Sequence, residues 1–175
     1  MLTYAQGRPE PELEKSVWRL RVLGLGVENE TRISPRGTFY GRFHFTSSSE
    51  TIPQFDGTNK VLYSFYPALS GGVRHFYNLE RRLAKGKSIR YNSGNYISGQ
   101  VQYNFPAINR NGSFNNDMSN SVSIAALWGF QRTYRRGFYL NLALGVGINR
   151  NGGTPASDFT LGYTFPGRGR SYRPL

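Results

Sequence analysis

The chain has 175 residues, 22 Lys+Arg against 10 Asp+Glu for a net charge of +12, and no cysteine. These numbers exclude a disulfide framework and a thiolate metal site, and the lack of any apolar run of about 18 residues excludes a transmembrane helix. The cationic surplus, mostly arginine, points to anionic partners, while 12 Tyr, 12 Phe and 21 Gly favour strands and turns over helices.

Residues 1–16, "MLTYAQGRPEPELEKS", read as a signal-peptide remnant and N-terminal segment, with maturation near Gln6/Gly7. An ordinary N-terminal tail is the alternative. The first strand is placed at about 17–29. Trp18, Leu20 and Val22 hold one phase and Leu23, Leu25 and Val27 the other, so a β-bulge near Val22–Leu23 is expected, unless 17–22 is a separate element. In 38–46, Phe39, Phe43 and Phe45 alternate with Tyr40, Arg42 and His44. In 61–78, Val61, Tyr63, Phe65, Leu69, Val73 and Tyr77 oppose Ser64, Ala68, Ser70, Gly72, Arg74 and Asn78. Further strands are predicted at 96–105, 121–131, 138–148 and 159–165. Between them lie turn-rich stretches, among them "TSSSETIPQFDGTN", "PAINRNGSFNNDMSN" and "NRNGGTPASD".

The clearest strand, "FYLNLALGVGI", carries Phe138, Leu140, Leu142, Leu144, Val146 and Ile148 on one face. The other holds only Tyr139, Asn141, Ala143, Gly145 and Gly147. A soluble sheet would put Lys, Glu or Thr on its wet face. Small and neutral-polar residues instead suit the narrow lumen of an eight-strand barrel, with the large apolar groups turned toward lipid. The expected fold is all-β, a closed antiparallel up-and-down transmembrane β-barrel over 17–165 with a basic tail at 166–175. A soluble barrel with its apolar face inward is the alternative. Seven segments are clear, and single-chain barrels of this kind have an even strand number. An eighth strand hidden in 7–22 is the adopted reading; a break of 61–78 at Pro67 or Gly71–Gly72, or an N-terminus threaded through the lumen, would also resolve the count.

Inner-face charges need partners, so Glu28, Arg42 and Arg74 are expected to form a lumen cluster, either a structural plug or the filter of a selective pore. If the last strand ends in the periplasm, the connections 30–37, 79–91 and 134–137 share that side. They hold Arg32, Arg36, Arg81, Arg82, Lys85, Lys87, Arg90, Arg135 and Arg136 against Glu30 and Glu80, nine minus two. The connections 47–60, 106–119 and 149–158 hold Lys60, Arg110 and Arg150 against Glu50, Asp56, Asp117 and Asp158, three minus four. The cationic rim, chiefly Arg81, Arg82, Lys85, Lys87, Arg90, Arg135 and Arg136, is suited to lipid headgroups or to an acidic protein partner.

Segment 75–96, "HFYNLERRLAKGKSIRYNSGNY", resembles a signature of small outer-membrane β-barrel proteins of Bacteroidetes-type bacteria: an aromatic pair, "NL", a basic pair, "KGK" and "NSGNY". Tyr77, Asn78, Leu79, Arg81, Arg82, Lys85, Gly86, Lys87 and Asn92 to Tyr96 carry the match. The closing "LGYTF", ending at Phe165, resembles the C-terminal recognition signal of outer-membrane barrels, although a basic tail, "PGRGRSYRPL", follows it. The resemblance implies fold and outer-membrane location, and implies no activity.

No nucleophile–base motif stands out. Outer-membrane lipid A deacylases are similar in size and need a Ser–His pair, for which His44 with Ser47–Ser49, or His75, are the candidates; His75 shares the lipid-facing phase. No cofactor or metal is expected, since the two histidines lie outside any ligand spacing. "GRGRSYRP" resembles an arginine–glycine nucleic-acid segment, but lipid-facing strands argue against nucleic acid as a partner. The sequence thus points to a non-catalytic accessory barrel whose partners are outer-membrane lipids and other outer-membrane or periplasmic proteins. A free-standing porin-like or lipid-binding barrel is the second reading, and a lipid-modifying enzyme the third.

Overall fold

The computed structural model describes residues 12–53, 55, 58–110 and 119–166. Eight antiparallel strands follow the chain: β1 (Ser16–Arg21), β2 (Gly26–Ser34), β3 (Gly37–Pro53), β4 (Asn59–Phe76), β5 (Gly94–Asn104), β6 (Ser121–Thr133), β7 (Phe138–Asn149) and β8 (Gly152–Pro166). Each pairs with the next, and β1 pairs with β8 from Val17↔Pro166 to Arg21↔Gly162, which closes the ring. The molecule is a closed up-and-down eight-strand barrel, with an additional two-residue strand, Asn109–Arg110, bonded to β4. The only α-helix among the described residues, α1 (Leu79–Ala84), is short and lies in the β4–β5 connection.

The alternation sorts side chains as its period demands. On β7, Phe138, Leu144, Val146 and Ile148 are exposed outside, whereas Tyr139, Asn141 and Ala143 are buried in the lumen. The small inward residues have a steric reason. A Cβ on Gly145 would stand 1.9 Å from the Ala126 carbonyl oxygen.

Several boundaries differ from the sequence reading. Segment 17–29 is not one bulged strand but the β1–β2 hairpin, turning through 22–25 with Gly24 at φ +69°. The phase change at Val22–Leu23 marks that turn, and β1 is the eighth strand sought in 7–22. The turn was hidden because it is built from Val, Leu and Gly. The connection placed at 47–60 is mostly strand, because β3 runs to Pro53 and β4 starts at Asn59. β4 passes Pro67 and Gly71–Gly72 unbroken. The connection placed at 149–158 shrinks to residues 150–151, and Asp158 lies within β8, not in an outer loop. Pro155 is tolerated there because β8 has no β1 partner above Leu161, and proline suits a strand edge.

The connections after β2, β4 and β6, the start of β1 and the end of β8 share one rim, here the lower one. Residues 12–15, expected to precede the barrel, help close this end. Leu13 is buried with Phe76, Leu79, Ile89 and Tyr96 in a small apolar cap. Residues 1–11 and 167–175, including the proposed cleavage site and nearly all of the basic tail, lie outside the described residues, as does Asp117.

Candidate functional site

The lumen is filled by charge. Arg19 and Arg21 from β1, Glu28 and Glu30 from β2, Arg42 from β3, Arg74 from β4 and Asp158 from β8 converge there, because each occupies the inward phase of its strand. Glu28 is the hub. It accepts from Arg19 at 2.9 Å and from both terminal nitrogens of Arg74 at 2.8 and 3.2 Å, and Arg42 Nε lies 3.8 Å away. Arg19 also bonds Glu30, whose other oxygen accepts from Thr38 at 2.6 Å. One layer higher, Asp158 accepts from Arg21 and Arg42, each at 2.7 Å. The Arg74 guanidinium lies 3.9 Å from the Tyr40 ring centroid, and Arg19 lies 4.6 Å from that of Tyr139.

The three residues expected in the lumen, Glu28, Arg42 and Arg74, are therefore brought together. Arg19, Arg21, Glu30 and Asp158 were missed. The inward phase of Arg19 and Arg21 was legible beside Trp18 and Leu20. The sequence reading places Glu30 in a rim turn and Asp158 in an outer loop; both lie in strands that run further than their turn-like composition implies. Four guanidinium groups against three carboxylates leave the lumen one positive charge in excess. Withdrawing ions from water costs several kcal/mol each, so removing a single partner is strongly destabilising, by about 3–5 kcal/mol.

Beneath the ions the lumen is stopped from below. Tyr91 and Asn92 adopt left-handed backbone angles, φ 53° and 59°, and push the β4–β5 connection into the mouth. The Asn92 carbonyl accepts from Gln131 at 2.8 Å, its side-chain oxygen accepts from the Glu14 N–H at 2.7 Å, and the Glu14 carboxylate accepts from the Tyr91 N–H at 2.8 Å. Above the ions lies a polar cup of about 300 Å³ lined by Gln100, Gln102, Asn104, Ser121, Ser123 and Ser157 among others. Ions and plug together obstruct a pore.

At the lower rim Arg81, Lys85, Lys87, Arg90, Arg135 and Arg136 are exposed. Arg82 is half-buried and donates to the Ser88 carbonyl through Nε at 3.2 Å and Nη2 at 2.6 Å, which shapes the loop. Its burial lowers its pKa from the ordinary guanidinium value. Adding Lys15 and Arg132 to the nine basic residues read from sequence, and counting Glu12, Glu14 and Glu80 against them, this end carries eleven minus three. Glu30 no longer counts, since it faces the lumen.

The two histidines are apart. His44 is buried in the lumen wall near Arg42, and His75 is exposed on the outer face of β4. Among the described residues no hydrogen bond joins either histidine to a serine, and no group of three His, Cys, Asp or Glu could hold a metal. A hollow of about 800 Å³ is a furrow on the outer wall, lined by Val73, Ile97, Gly99, Ala126, Trp128 and Leu144 among others.

No protein-family model, no curated protein and no solved structure matches the chain in comparison.

Proposed function

We propose that this chain is an integral outer-membrane barrel, seated in the bilayer by its eight-strand wall and serving as a non-catalytic accessory subunit beside a larger outer-membrane assembly. One observation carries the reading: burial is inverted. Among the described residues thirty-one large apolar side chains are exposed, while the buried set holds nineteen polar or charged residues and thirteen apolar ones. In water, each half-exposed apolar side chain forgoes on the order of 1 kcal/mol. Together they forgo tens of kcal/mol, more than the roughly 5–15 kcal/mol by which domains are stable. Acyl chains remove that penalty.

Dimensions agree. The twelve residues of β7 extend roughly 40 Å, and a tilt of about 35–45° reduces this to roughly 30 Å, the thickness of the hydrocarbon core. Aromatic pairs stand at strand ends, Tyr134–Phe138 and Tyr163–Phe165 at the lower rim and Tyr103–Phe105 toward the upper, as an interfacial girdle would. The obstructed lumen favours an accessory role over a free-standing porin, and the basic lower rim offers a periplasmic contact for acidic surfaces or lipid phosphates. Purification from native membranes in mild detergent tests this. Retention in a stable larger assembly is the expected result, and a lone monomer would refute the accessory role. Solubility without detergent would refute the membrane reading.

A further inference from the structure

The barrel wall is complete only in its lower half. β1 and β2 turn back at residues 22–25, whereas β3 continues to Pro53 and β8 reaches up to Gly152. Above the β1–β2 tip, among the described residues, residues 46–53 pair only with β4 and residues 152–160 only with β7. Phe45 still donates its N–H to the Leu25 carbonyl, and the Leu161 carbonyl still accepts from Val22. Strand alternation therefore turns the main-chain groups of Ser47, Ser49 and Thr51, and of Gly153, Ser157 and Phe159, toward an open notch. β3 and β8 are separated there by three inter-strand spacings, about 14 Å, which is room for two strands.

The notch lies within the apolar belt. Its floor is the exposed Val22, Leu23 and Leu25, and Ile148 and Val122 on the far wall reach higher than this tip. The polar tips of the other upper turns contrast with it. Unpaired main-chain groups at such a depth cost several kcal/mol each, and an acyl chain can neither donate nor accept. A second observation lies at the inner lip. Arg21 ends β1 and is 3% exposed, yet its Nε and Nη1 have no hydrogen-bond partner, and neither do His44 Nδ1 and Ser48 Oγ nearby.

We infer that the notch receives an extended segment of a partner polypeptide, which adds to the free edge of β3 as a further strand. β8 is the poorer edge, since Pro155 removes a donor in its middle. The main chain of the incoming segment satisfies Ser47, Ser49 and Thr51. Its inward side chains, carboxylate or carboxamide, meet Arg21 and the slight positive excess of the lumen. Strand addition of this kind takes affinity from main-chain bonds. The inference rests on the membrane and accessory reading above, and adds where and how the partner binds.

The absence of cysteine permits a positional test. Benzophenone maleimide is attached in native membranes to Ser47→Cys, Ser49→Cys, Ser157→Cys or, as a control on the opposite wall, Ile124→Cys, and then irradiated. Cross-links to one polypeptide from the three notch positions, at least tenfold above Ile124, are expected. Ser49→Pro removes an edge donor without touching the β3–β4 ladder. It should lower cross-linking from Ser157→Cys about tenfold while the barrel still runs as a folded, heat-modifiable species. An intact assembly with cross-links only from Ile124, or a folded Ser49→Pro that cross-links as before, overturns this inference alone. A lone barrel whose notch positions label only lipid overturns the accessory reading with it.

Discussion

Leu144→Arg distinguishes a lipid-facing wall from a wet one by sign as well as by size. Leu144 sits near the middle of β7, its side chain outward and 57% exposed in the isolated chain. In water, an arginine at such a position would change stability by about 0.5 kcal/mol or less, and would aid solubility. At a bilayer midplane the same replacement costs about 2–4 kcal/mol, which at 1.4 kcal/mol per decade is roughly a 30- to 700-fold loss in the folding equilibrium. Depth supplies an internal control. Val122→Arg and Ile148→Arg lie near the upper ends of β6 and β7 and should cost only about 0–1 kcal/mol. The assay is urea titration of the barrel refolded in lipid vesicles, with the folded fraction read by heat-modifiable gel mobility. Equal costs at Leu144 and Ile148, or none at either, would refute the lipid-facing assignment.

Three further outcomes follow from the interior and the rim. Glu28→Gln leaves Arg19 and Arg74 facing a neutral amide and should destabilise the barrel by about 3–5 kcal/mol in the same titration; an unchanged midpoint would mean that the ions are not mutually dependent. Gly145→Ala forces a methyl into the Ala126 carbonyl, whereas a Cβ on Gly99 meets open space. The first should therefore lower the midpoint and Gly99→Ala should not; the reverse order would place the lumen on the wrong side. Lys85→Gln combined with Lys87→Gln removes two exposed charges from the lower rim. With the variant refolded in neutral-lipid nanodiscs that leave the rim accessible, co-flotation with added anionic vesicles should weaken by about 1 kcal/mol per charge at low salt, and no change would take the rim out of lipid contact.

Much of this architecture was legible, and the failures share one cause. Wherever a long run alternates, as in Phe138 to Ile148, the inward and outward sets follow from period two alone. Turn composition misled in both directions. "TSSSETIP" and "GGTPASD" look like loops because they are rich in Ser, Thr, Gly and Pro, yet they are strand, since an edge beside a notch tolerates small polar residues and a proline. "VLGLG" looks like strand because it is apolar, yet it is a turn. On the membrane reading proposed above it lies at a depth where Asn and Asp are unfavourable, so turn signals calibrated on water would invert there. Asp158 and Glu30 were lost for the same reason, being assigned to loops that the strands had overrun. The notch could not be read at all, because it depends on the register of β1 with β8 and of β2 with β3.

The ion network and the notch explain each other. β1 has six residues and β2 nine, the shortest of the eight ring strands, so their ladders hold them least. Four of the seven lumen ions, Arg19, Arg21, Glu28 and Glu30, sit on these two strands, and their partners Arg42, Arg74 and Asp158 belong to β3, β4 and β8. Side-chain bonds thus cross the lumen to tie the truncated strands to the long ones. A fully paired wall has less need of such ties, and replacing buried ions by well-packed apolar residues often leaves a fold as stable or more so. Here, shortening two strands removes main-chain bonds from one sector of the wall, and the ions brace what remains. The lower half is thereby closed and braced, while the upper half keeps two strand edges unpaired among the described residues.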